Sequence, residues 1–259
     1  MSELVLTNVV DGIATLTMNR PDAFNALNAD LMSALAASIG QCSVDPNVRA
    51  IIVTGAGKAF CGGGDLKWAM SAPGGAAAAL HGLAGQFHVA ITEIRRMSKP
   101  VIAAVNGVAA GGGFSLALAC DFRVLASSAV LKQAYTSAGL SLDGGGTFSL
   151  PRLVGLARAL EITAFDAPIP AEQALAWGMA TRVVASDQVL ATANEMARTI
   201  ARGSLHSFGV AKRLLTDSLD TSFETQLERE RKGLTTCVAH VDGQEGLRAF
   251  AEKRKPQFS

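Results

Sequence analysis

Residues 3–9 and 12–18 alternate apolar and polar side chains on either side of Asp11-Gly12, the pattern of a β-hairpin closed by an Asp-Gly turn. The period then changes. Leu31, Leu35 and Ile39 recur at helical spacing behind Asn28, which predicts a helix capped by Asn28 and running to about residue 43. Residues 49–54, 101–105 and 122–126 are short apolar runs and read as buried parallel strands. Between them, residues 80–97 predict a helix that stops before Lys99-Pro100, and residues 114–119 a buried helix. The small-residue tract 71–79, with Pro73 and two glycines, predicts a mobile loop. Beyond about residue 146 the periodicity is helical, with segments near 147–163, 171–177, 187–202, 204–219, 221–237 and 241–253. No repeat of about 20–50 residues marks a solenoid. The fold class is therefore α/β, with βα units around a parallel sheet and a helical C-terminal third.

Composition narrows the function. The chain has 259 residues, 49% hydrophobic and 17% charged, with a formal net charge of +1. That length supports one large core, and the balanced charge provides no field for nucleic acid or an anionic membrane. Neither a secretory signal nor a membrane-spanning run is evident, so a cytoplasmic location is expected. Cys42, Cys61, Cys120 and Cys237 lie far apart, as reduced structural thiols would. His81, His206 and His240 lack metal-ligand spacing, and no metal is expected.

Two loops share one grammar of apolar strand, glycines, then helix start: Ala59-Phe60-Cys61-Gly62-Gly63-Gly64-Asp65-Leu66 and Asn106-Gly107-Val108-Ala109-Ala110-Gly111-Gly112-Gly113-Phe114. Unsatisfied N–H groups at a helix start attract negative charge, and glycine lets a ligand approach them closely. Two such loops converging on one oxygen would form an oxyanion hole; each alone reads equally well as a tight turn. Neither loop fits a nucleotide-binding pattern. Asp143, in Leu140-Ser141-Leu142-Asp143-Gly144-Gly145-Gly146-Thr147, admits two readings. It caps the following helix, or burial between Leu140 and Leu142 raises its pKa toward that of a useful base.

Asn19-Arg20-Pro21, Asn25-Ala26-Leu27, Lys99-Pro100-Val101 through Gly107, Gly111-Gly112-Gly113, Cys120-Asp121, Pro151-Arg152 and Phe250-Ala251-Glu252-Lys253-Arg254 appear in the order in which the crotonase (enoyl-CoA hydratase/isomerase) superfamily carries them. The chain resembles that family from about residue 3 to 258. The resemblance implies a spiral of ββα units over residues 1–200 that binds an acyl-CoA, and a helical region over 201–259 that assembles a homotrimer or a dimer of trimers. It implies no permanently bound cofactor, coenzyme A arriving as part of the substrate. The oxyanion donors fall on Gly62 and Gly112. Ala23 and Phe24 would follow the coenzyme A path, Asp65 and Leu66 would lie near its adenine, and Phe250 and Lys253 would reach it from a neighbouring subunit.

Departures from the family pattern bear on the reaction. Hydratases carry two catalytic glutamates, and this chain has Ser115 and Tyr135 in their places, Tyr135 being expected to line the acyl pocket or donate a hydrogen bond there. Asp143 instead matches an aspartate of isomerases similar to those of phenylacetate breakdown, which implies double-bond isomerisation with Asp143 as acid and base. Asp143 with His88 also resembles the nucleophile and base of 4-chlorobenzoyl-CoA dehalogenase, although that enzyme has a tryptophan where Tyr135 stands. Hydration and a catalytically silent acyl-CoA-binding subunit complete the alternatives.

Overall fold

The computed structural model describes residues 3–259. Its ten strands are β1 (Val5–Val10), β2 (Ile13–Met18), β3 (Ala50–Gly55), β4 (Ala59–Cys61), β5 (Val101–Val105), β6 (Val108–Ala110), β7 (Phe122–Ala126), β8 (Val130–Lys132), β9 (Ile169–Pro170) and β10 (Arg182–Val184). The helices are α1 (Ala29–Val44), α2 (Leu66–Ser71), α3 (Gly75–Arg96), α4 (Gly112–Ala119), α5 (Gly146–Val154), α6 (Leu156–Phe165), α7 (Ala171–Ala176), α8 (Val189–Ala201), α9 (Leu205–Asp217), α10 (Phe223–Ala239) and α11 (Val241–Ala251).

The larger sheet has the order β1-β2-β3-β5-β7-β10, and the smaller one the order β4-β6-β8-β9. Among the described residues only the outer pairs β1–β2 and β8–β9 are antiparallel. Three consecutive strand pairs, β3–β4, β5–β6 and β7–β8, each place their first strand in the large sheet and their second in the small one. Chain advancing this way winds as a spiral of ββα units, the expected α/β architecture. β3 and β5 are buried along their whole length, which explains their unbroken apolar sequence.

Local chemistry sets the ends of these elements. Val10 pairs with Ile13 across a turn in which Asp11 and Gly12 both have positive φ, as a tight right-twisted hairpin requires. The Asn28 side chain accepts the Leu31 N–H at 3.0 Å and starts α1. The tract 71–79 departs from expectation: α3 already begins at Gly75. The four alanines Ala76–Ala79 favour helix strongly, and the strain of the tract is confined to Gly74 and Gly75, both at positive φ. The helix expected over 147–163 is split by Gly155, at φ +77°, into α5 and α6.

The helical C-terminal part is tied to the sheets by a mostly buried ion pair. Lys212 on α9 meets Asp121 at 2.7 Å and donates to the Ile94 carbonyl at 2.6 Å, while the same Asp121 oxygen accepts the Val101 N–H at the head of β5. Asp121→Ala strands the lysine charge, and a loss of about 3–5 kcal/mol is expected in denaturant unfolding. A loss below about 1 kcal/mol would show that α9 is anchored by other contacts.

Candidate active site

The two glycine loops meet. A Cβ on Gly113 would stand 2.2 Å from the Cys61 carbonyl oxygen, and one on Gly63, at φ +101°, 2.9 Å from the Ala110 carbonyl oxygen. Only glycine permits α4 to approach β4 this closely. The seam opens into a cavity of about 300 Å³ lined by both loops, by Leu27, Leu66, Leu83 and Phe87, and by Tyr135, Leu140 and Asp143.

Five glycines of these loops line the cavity, and hydrogen bonding separates them. The Gly62 N–H donates to the Phe24 carbonyl at 2.8 Å and the Gly111 N–H to the Lys132 carbonyl at 3.1 Å. Leu27 bridges Gly64 in parallel fashion, bonding the Gly63 carbonyl and the Asp65 N–H and bypassing Gly64's own N–H. The N–H groups of Gly64 and Gly112 therefore have no acceptor among the described residues. This corrects the expectation at Gly62. Phe24, in the left-handed region at φ 51°, turns its carbonyl onto Gly62 and engages that donor. Gly112 opens the first turn of α4, where the helix dipole adds to its pull on negative charge.

Asp143 faces the same cavity. α5 begins at Gly146 without any side-chain cap, so Asp143 is not an N-cap. Its Oδ1 instead lies 2.6 Å from His88 Nε2 on α3. The burial expected from Leu140 and Leu142 is only partial, because Leu140 is itself turned outward; the Asp143 side chain keeps 35% exposure and that of His88 56%.

Ser115 and Tyr135 come together, with their hydroxyl oxygens 3.3 Å apart. Burial pushes the Tyr135 phenol up to about 12, the Asp143 carboxylate adding to the rise while the Ser115 hydroxyl opposes it. Cys61 is fully buried, and that burial pushes its thiol up to about 12, which leaves no thiolate for nucleophilic attack.

The remaining expected residues are scattered. Asp65 caps α2 through the Trp68 N–H and pairs with Arg20 at 3.1 Å; burial raises its carboxyl, but these two partners outweigh that and hold it below the ordinary carboxylate range. Its oxygens are thus already engaged in holding the loop. Leu66 lines the cavity, Ala23 ends a short turn at Pro21–Ala23, and Phe24 projects into solvent. Phe250 and Lys253 lie exposed at the end of α11, away from the cavity of their own chain. Gly64 is the residue that sequence reasoning missed. Its signal was present, since it directly precedes the Asp65 that opens α2.

The family model for enoyl-CoA hydratase/isomerase matches residues 8–259. The 1,2-epoxyphenylacetyl-CoA isomerase of Escherichia coli is 37% identical, over 100% of this chain and 99% of its own. The crotonyl-CoA hydratase of Syntrophomonas wolfei is 35% identical, over 99% and 98%. Among solved structures, an enoyl-CoA hydratase from Bacillus anthracis superposes with a TM-score of 0.92 at 32% identity, covering 98% of each chain. Two glycine loops that meet, a spiral of ββα units and agreement over the whole length all converge: the chain belongs to the enoyl-CoA hydratase/isomerase family of the crotonase superfamily.

Proposed function

We propose that the protein is an enoyl-CoA isomerase that moves a double bond along the acyl chain of a coenzyme A thioester. The observation that carries this reading is the pairing, across one apolar cavity, of two unengaged N–H groups with a single carboxylate. The thioester oxygen sits between the Gly64 and Gly112 N–H groups. Asp143 takes the C4 proton of a 2-enoyl thioester, and the C–H electron pair moves into the chain as the carbonyl oxygen gains charge. Asp143 then returns the proton to C2, which leaves the double bond one position further along. One positioned acid and base suffices for this shuttle. Hydration by two glutamates has no counterpart at Ser115 and Tyr135. The similarity to an epoxyphenylacetyl-CoA isomerase supports the same choice.

The test is incubation with a short trans-2-enoyl-CoA in heavy water, read by mass spectrometry. Deuterium incorporated without added water is the expected result. A product heavier by one water would replace isomerisation with hydration.

The 2.6 Å contact between His88 and Asp143 favours a second reading. In a halobenzoyl-CoA, Asp143 would attack the ring carbon and expel halide, and His88 would deprotonate the water that frees the aspartate. Halide release from such a thioester decides for it.

Residues 1–200 serve in this proposal as the acyl-CoA-binding core and 201–259 as the assembly region of a homotrimer or dimer of trimers. In support, α10 has no buried residue and exposes Phe223, Leu227 and Leu234, while Phe250 is 86% exposed.

A further inference from the structure

Tyr135, Ser141 and Asp143 carry the only polar side-chain atoms in the wall of the cavity among the described residues. Of these, Tyr135 is the most firmly placed. Its N–H bonds the side chain of the fully buried Gln133 at 3.0 Å, and the preceding Ala134, at φ 51°, is fixed through its N–H to Asp166 at 2.8 Å. Behind the ring, Ser115 is 1% exposed, and its hydroxyl has Tyr135 as its one hydrogen-bond partner among the described residues.

Two hydroxyls carry two protons, and only one proton fits between them. Ser115 has nowhere else to donate, so the arrangement that leaves no buried donor stranded has Ser115 donating to Tyr135. The phenolic proton of Tyr135 is then left without an acceptor among the described residues, on a side chain that lines the cavity beside Asp143. An unmatched donor in an apolar wall selects a ligand that brings an acceptor.

We propose that Tyr135, backed by Ser115, is a subsite for an oxygen atom on the acyl group, so that the preferred substrates are hydroxylated acyl thioesters rather than plain hydrocarbon chains. The inference rests on the acyl-thioester reading of the cavity. It assigns Tyr135 to recognition of the acyl group and leaves the proton shuttle to Asp143.

Titration calorimetry with unreactive ligands tests it. Hexanoyl-CoA is compared with its 4-hydroxy, 5-hydroxy and 6-hydroxy counterparts, none of which has a double bond to move. At least one hydroxylated ligand binds the native protein about five- to tenfold more tightly than hexanoyl-CoA, as one buried neutral hydrogen bond provides. In Tyr135→Phe the order reverses, because a hydroxyl without a partner only loses its water. Hexanoyl-CoA binding by the variant reports that it is folded. Ser115→Ala is the second variant, and it diminishes the hydroxyl advantage. If hexanoyl-CoA binds but no hydroxyl improves on it, or the advantage survives in Tyr135→Phe, the subsite does not exist. If no acyl-CoA binds at all, the acyl-thioester reading falls and this inference with it.

Discussion

Asp143→Asn lowers turnover of a trans-2-enoyl-CoA by about a thousandfold, within the range of about 10²–10⁴ that a positioned general acid or base supplies. The substitution keeps the shape of the side chain and its capacity to hydrogen bond His88, and it removes only the basic oxygen. Asp143 lies outside the buried core and caps no helix, so unfolding does not account for the loss. Affinity for an unreactive saturated acyl-CoA therefore changes little while kcat collapses, the signature of a group that acts in the transition state. Deuterium incorporation stops as well, because no other cavity-lining carboxylate is present among the described residues to exchange the proton. Normal turnover in Asp143→Asn would end the isomerase proposal. So would parallel losses of binding and turnover, which would make Asp143 a structural residue of the loop before α5.

The sequence displayed the elements whose signal is local. Asn28 and the Asp11-Gly12 turn act within a few residues of themselves, and β3 and β5 are long enough for an apolar run to stand out. The strands of the smaller sheet were not legible, because β4, β6, β8 and β9 have only two or three residues each, too few to show any period. The free N–H groups of the glycine loops show where such reading stops. Glycines announced the loops, but which N–H stays free depends on Phe24 and Leu27, and their carbonyls arrive from more than thirty positions earlier. Asp143 was legible as a candidate and ambiguous in role. Its contact with His88 spans 55 residues, and only the fold brings α3 against the loop before α5. The same holds for Ser115 and Tyr135, read as two lost glutamates and found as one hydroxyl pair.

Gly112→Pro is the sharpest probe of the proposed oxyanion hole, because a backbone donor is deleted only by removing its hydrogen. Gly112 is the first residue of α4, where proline is favoured in helices and where the missing N–H breaks no helical bond. The nearest obstacle to an added Cβ is Leu27 Cδ1 at 3.1 Å; it is the end of a flexible side chain and yields by a few tenths of an ångström. The protein thus folds, and the Gly64 N–H remains as sole donor. Losing one of two donors costs about 3–4 kcal/mol of transition-state stabilisation, or about 10²–10³ in kcat. The contrast with Gly62 makes the test decisive. The Gly62 N–H is engaged by Phe24, so deleting it disturbs the loop without removing any donor from the cavity. Gly112→Pro accordingly lowers kcat with thermal stability nearly retained, whereas Gly62→Pro lowers thermal stability first. Full activity in a folded Gly112→Pro protein would place the developing charge elsewhere and withdraw both glycine loops from catalysis.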